Sequence, residues 1–198
     1  MSLKEDIEAQ SKKYGGGGGN SDFFQFKKGL NRMRILAEPK VIAFHFFGRG
    51  EKPVICIGID EGCQYHKKDD KKSSIKLATY IIDRDDENKI KFAELPLSIS
   101  YSLSDLQEDS DFAFEDFPMP YDVKVTSDPE NVDPKSKYRL VASPKQEPLT
   151  TGEKEGLDEA MKKMTPEQYV QIRKDKQKGE KTSDKEYPEE DLSGDVPF

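Results

Sequence analysis

Cysteine and histidine are scarce in this chain of 198 residues, two of each, and it contains no run of 18 apolar residues. The missing apolar run excludes an ordinary membrane-spanning helix, and the N-terminus lacks the apolar core of a secretion signal. The expected location is the cytoplasm, where two cysteines stay reduced and act as metal ligands or buried apolar side chains rather than as a disulfide. Catalytic signatures are missing too: there is no Gly-x-Ser-x-Gly turn and no phosphate-binding glycine loop. Asp83-Arg-Asp-Asp-Glu87 has the composition of a two-metal nuclease cluster, but it falls between two strand-like segments, where Asp is an ordinary turn former. The expectation is a protein that is not an enzyme.

Charge is abundant and unevenly spread. The formal net charge is −7, which disfavours a nucleic-acid partner only if the acids are spread evenly. Between positions 27 and 52, seven Lys or Arg (Lys27, Lys28, Arg32, Arg34, Lys40, Arg49, Lys52) stand against two Glu. Between 67 and 76, five Lys (Lys67, Lys68, Lys71, Lys72, Lys76) stand against two Asp. Positions 105–133 carry ten acids and one Lys. A basic face can therefore coexist with an acidic total.

Only about 130 residues, positions 20–150, have the apolar density of a core, enough for one domain. Residues 1–19 read as an arm, a short and weakly helical segment followed by the tether Gly15 to Gly19. Short runs with period-two alternation then predict strands at 32–37, 41–48, 53–58, 75–83, 89–95, 121–126 and 137–143. Seven short strands predict an all-β domain curled into a small barrel, with a turn of helix within 97–106. Residues 151–182 read as a charged linker of two helices, the second starting at Thr165-Pro166-Glu167. Residues 183–198 read as a disordered acidic tail.

Alternation assigns strand faces. Ile75, Leu77, Thr79 and Ile81 form the better core face of their strand, so Lys76 and Tyr80 are expected outward, a cation beside a ring. Arg32 and Arg34 share a face in the same way. Residues 41–47 are apolar on both sides, so Phe44 and Phe46 suit either a core or a stacking surface. The plainer alternative is a solvated strand face and phenylalanines that are mostly structural.

The two histidines and two cysteines fall within 22 positions in the order His45-x10-Cys56-x6-Cys63-x2-His66. A two-residue gap lets one tight turn aim two ligands at one ion, and Gly62 before Cys63 suits that turn. Two thiolates and two imidazoles fill a tetrahedral Zn²⁺ completely, which makes such a site structural, and the ion would hold Lys67, Lys68, Lys71 and Lys72 at a fixed place. The alternative is buried cysteines with unrelated surface histidines.

From Glu186 onward there are five acidic side chains and no Lys or Arg, and the chain closes on Asp195-Val196-Pro197-Phe198. Such a stretch has nothing apolar to pack, and it is either inert or a recruiting peptide in which an aromatic anchor and a carboxylate enter a basic pocket. It resembles the acidic tip of bacterial-type single-stranded DNA-binding proteins, which ends in Asp-x-Pro-Phe and would make Asp195, Pro197 and Phe198 the partner-binding residues. Lys28-Gly-Leu-Asn-Arg-Met-Arg-Ile-Leu36, followed by His45, Cys56 and Cys63-Gln-Tyr-His66, is similar to the core of the helix-destabilising single-stranded DNA-binding proteins of T4-like and related phages. The likeness covers roughly residues 25–145. His66 stands where that family places its last Cys. The resemblance implies an OB-fold, a five-stranded barrel, with a small zinc-binding subdomain. It also implies a groove for single-stranded DNA, an N-terminal arm for self-association on DNA, and an acidic end that recruits replication and recombination proteins. Arg32, Arg34, Phe44, Phe46, Arg49, Lys52, Lys67, Lys68, Lys71, Lys72, Lys76 and Tyr80 are the expected DNA contacts, cations for phosphates and rings for bases. The competing expectations are RNA as ligand and a DNA-mimicking adaptor that presents its acidic surface to a host DNA-binding protein.

Overall fold

A computed structural model describes residues 23–47, 53–66, 74–131, 133 and 136–179. Seven antiparallel strands form one sheet: β1 (Gly29–Ile35), β2 (Lys40–His45), β3 (Val54–Ile55), β4 (Ser74–Asp83), β5 (Lys89–Pro96), β6 (Tyr121–Ser127) and β7 (Tyr138–Gln146). Three helices accompany them: α1 (Leu97–Glu108), α2 (Thr151–Lys163) and α3 (Pro166–Gly179). All seven expected strands exist, although the one expected at 53–58 is only two residues long, because after Cys56 the chain leaves β2 and turns at residues 59–62. No helix among the described residues is long and apolar enough to cross a membrane.

β4 organises the sheet. One edge pairs along its length with β5, from Lys76↔Pro96 to Asp83↔Lys89. The other edge is shared: β2 takes its first half (Ala43↔Ile75, Val41↔Leu77) and β1 its last residues (Ile35↔Ile81, Met33↔Asp83). β1 and β2 thus behave as one strand bent at residues 36–39. The bend is tied down where the Leu36 N–H donates to the Tyr80 carbonyl (2.9 Å) and the Thr79 hydroxyl donates to the Ala37 carbonyl (2.6 Å). β6 then pairs with β1, and β7 with β6.

The expected five-stranded closed barrel is not what forms. β5 and β7 do not pair, so the sheet stays open. α1 lies against β4, β5 and β7, and its Ile99 and Leu103 are buried with Met33, Ile35, Ile81, Leu95, Tyr121, Val123 and Val125. The free edge of β5 is met instead by Phe23 and Phe24, whose parallel contact includes a 2.8 Å bond from the Phe24 N–H to the Phe92 carbonyl.

The opposite face of β4 is buried as well, which corrects the outward placement of Tyr80. Ala78, Tyr80 and Ile82 pack with Ile42, Phe44, Phe92 and Tyr169 beneath α2 and α3. The Tyr80 hydroxyl donates to the Met164 carbonyl (2.8 Å), at the end of α2, and also reaches that of Ala160 (3.2 Å), which accepts the Met164 N–H as well. Tyr169 of α3 stacks on Phe92 at 4.4 Å and donates to Glu94 (2.7 Å). The helices expected as a linker are therefore packed on the sheet. The polar look of their sequence conceals this, since only a narrow stripe of each is apolar.

A chain of charges crosses the layers. Arg34, 1% exposed, donates to Asp122 (2.6 Å), Asp122 accepts from Arg84 (3.0 Å), and Arg84 pairs with Glu153. Glu153 also closes a capping box with Thr150 at the start of α2. Arg34→Ala leaves a half-buried carboxylate short of one partner and is expected to cost about 3 kcal/mol in urea unfolding, since removing one partner of a buried pair strands the other. Burial would raise the Glu153 pKa, but the Thr150 amide and Arg84 outweigh it and hold the group below the ordinary carboxylate range. A depressed folded pKa stabilises the fold above the unfolded value of about 4.3, and that stabilisation is lost as pH falls through the folded value. Glu153→Gln should therefore flatten the acid limb of a pH–stability curve and destabilise the protein at neutral pH.

Candidate metal centre and its aromatic rim

Four side chains converge where β2 ends and β3 begins. His45 is the last residue of β2, and Cys56 follows β3, its amide bonded to the Ala43 carbonyl (2.9 Å). The chain then reverses through a turn in which Gly58 and Gly62 have positive φ (105° and 73°), conformations that side chains rarely adopt. The Cys63 N–H closes that turn onto the Gly58 carbonyl (3.0 Å), and a single 3₁₀ turn (Gln64–His66) carries His66 back.

The ligand atoms of His45, Cys56, Cys63 and His66 all lie within 4.8 Å of one another. Cys56 Sγ is 2.9 Å from His66 Nε2 and Cys63 Sγ is 3.4 Å from His45 Nε2. Metal–sulfur bonds of about 2.3 Å and metal–nitrogen bonds of about 2.0–2.1 Å give tetrahedral edges of roughly 3.3–3.8 Å. The donor spacing, from 2.9 Å up to at most 4.8 Å, brackets those edges, so small side-chain shifts would bring all four donors onto one ion. His45, Cys56 and Cys63 are buried, and His66 is half-buried. Burial, with His66 alongside, lowers the His45 pKa and favours the neutral imidazole that ligates metals, whereas burial raises the Cys56 thiol. His45 Nδ1 is buried and has no hydrogen-bond partner among the described residues. This group can hold a metal ion, as its spacing in the sequence led one to expect.

Two rings, Phe47 and Tyr65, flank the centre. Tyr65 lies 5.5 Å from the His45 ring and 4.9 Å from Phe47, and Phe46, half exposed, lies 6.4 Å from Phe44. Phe47 and Tyr65 were not singled out from the sequence, although Tyr65 precedes His66 and Phe47 lies two positions after His45. The fold separates the other expected DNA contacts. Phe44 is a core residue with the Lys76 ammonium 5.0 Å from its ring, and Lys76 is spent on Glu94 (2.9 Å). Arg34 and Tyr80 are buried, which takes them and Phe44 off any open surface. Arg32 is exposed and pairs with Asp85 (2.8 Å). Arg49, Lys52, Lys67, Lys68, Lys71 and Lys72, with Asp195, Pro197 and Phe198 and the 1–19 arm, lie outside the described residues. The acids of the 83–87 turn are engaged with cations: Asp83 and Asp86 with Lys91, Asp86 also with Lys89, and Asp85 with Arg32.

No protein-family model, curated protein or solved structure matches this chain.

If the four side chains bind metal together, Co²⁺ added to reduced protein will produce the absorption of a tetrahedral thiolate site at one equivalent. Cys63→Ser is expected to weaken binding at least tenfold, and unchanged affinity would show that Cys63 is not a ligand.

Proposed function

We propose that the chain is a non-enzymatic, sequence-independent binder of single-stranded DNA, built on an opened OB-fold with a structural Zn²⁺. The observation that carries this reading is the pair of rings, Phe47 and Tyr65, beside the His45–Cys56–Cys63–His66 group, with Phe46 exposed next to His45 in the chain, in an excursion that also contains six Lys or Arg. Rings stack on any base, and cations release counterions from any phosphate, so this combination binds without reading sequence.

Strand connectivity supports the same reading. Taking bent β1–β2 as one strand, the order strand, β4, β5, α1, β6, β7 follows a five-stranded OB-fold with its helix between the third and fourth strands. The residue 46–73 excursion then corresponds to the loop between the first two strands, one of the two loops with which OB-folds take oligonucleotides. Zn²⁺ suits the two-thiolate, two-imidazole set and would hold the rim rigid, with no position left for a reacting water. In this reading Arg49, Lys52, Lys67, Lys68, Lys71 and Lys72 contact phosphates, the 1–19 arm serves self-association on DNA, and the acidic stretch ending in Asp195, Pro197 and Phe198 recruits replication or recombination proteins in a bacterial cytosol. The likeness to the phage helix-destabilising proteins belongs to this proposal as well.

Fluorescence anisotropy with oligothymidine, oligouridine and duplex DNA at two salt concentrations tests it. Tight, steeply salt-dependent binding of oligothymidine is expected, and Tyr65→Ala or Phe46→Ala should each weaken it by about 1–3 kcal/mol. Absence of binding at low salt would sink the reading in favour of a DNA-mimicking adaptor, and preference for oligouridine would change the ligand to RNA.

A further inference from the structure

On the outer face of β1, β6 and β7, the end nearest Arg34 and Asp122 lies against Arg84 and Glu153, while the rows farther along are exposed. The register sets up two such rows across three strands: Arg32 opposite Lys124 opposite Val141, and Leu30 opposite Thr126 opposite Arg139. Leu30 and Val141 are each more than half exposed, and Arg32, Lys124 and Arg139 are exposed too. Arg32 has Asp85, but among the described residues the side chains of Lys124 and Arg139 make no hydrogen bond or ion pair.

This arrangement works against the fold. Directly opposed side chains have Cβ atoms about 4.5–5.5 Å apart and diagonal ones about 7–8 Å, and like charges at such positions are destabilising. The chain has 39 acids against 32 bases, and nearby cations are neutralised, Lys28 by Glu130 and Arg34 by Asp122. Two neighbouring cations left without side-chain partners among the described residues mark an exposed surface open to a counter-charge from outside it.

We propose that this face is a second contact surface for a single nucleic-acid strand, holding its phosphates through Lys124, Arg139 and Arg32 while Leu30 and Val141 make apolar contact. The inference rests on the DNA-binding reading and adds a contact site on strands that pair with the last residues of β4, whereas the metal site lies beyond β2, which pairs with its first half. Because phosphate contact is electrostatic, its signature is the salt dependence of binding.

The test compares full-length protein with a Lys124→Gln/Arg139→Gln variant in titrations of oligothymidine of about 16 nucleotides across a salt series. Each lost phosphate contact on a single strand removes about 0.7 from the slope of log affinity against log salt, so the double variant is expected to be shallower by about 1.4. It should also bind at least tenfold more weakly at low salt. Its unfolding midpoint should stay the same or rise, because a repulsion has been removed; a fall would give these cations a structural role and overturn the inference. An unchanged slope alongside normal wild-type binding overturns this inference and leaves the DNA reading intact, whereas no wild-type binding overturns both. An unchanged slope with an expanded hydrodynamic radius would assign the face to the chain's own acidic stretch, residues 186–198, and would likewise overturn it.

Discussion

Everything in this fold leans on β4 being covered on both faces and paired on both edges. From Leu77 to Asp83 every residue is buried, and the two core clusters meet back to back across this strand. A half-buried strand would allow α2 and α3 to drift, but Tyr80, Ile82 and Ala78 give those helices an apolar floor and two carbonyl acceptors a hydroxyl donor. Because β1 and β2 share one edge of β4, the bend between them sets the direction in which β2 leaves the sheet. That direction carries His45 to the metal centre.

The same economy governs charge. Arg34, Asp122, Arg84 and Glu153 link β1, β6, the β4–β5 turn and the start of α2, and Asp83, Asp86, Lys89 and Lys91 close the hairpin. These groups are consumed by architecture. Cations left for an outside partner are those the fold does not pair, and they cannot be picked out by counting Lys and Arg along the chain.

The metal centre stands apart from both large cores. Its own buried cluster consists of Cys56, Ile57 and Cys63, with Ala43 and Tyr65 at its margin, and its strand β3 is two residues long. So few apolar groups cannot offset the entropy of ordering such an excursion, and an ion bridging four side chains can supply what the core lacks. Glu61, within the same turn, is ion-paired to Lys174 and Lys178 of α3, so the excursion is also anchored to the helical layer.

Local chemistry was enough to place the seven strands, the second helix start at Thr165-Pro166, and the grouping of His45, Cys56, Cys63 and His66. Alternation, capping and ligand spacing are short-range properties that survive in one dimension. Alternation failed at β4, where Tyr80 faces away from the first core as expected but lies under two helices, and at Arg34, which shares a face with exposed Arg32 yet is buried against Asp122 88 positions away. Openness of the sheet, the docking of α2 and α3, and the pairing or freedom of each cation depend on contacts between residues far apart in the chain. No local pattern encodes these, because the energy that decides them arises only when distant surfaces exclude water together.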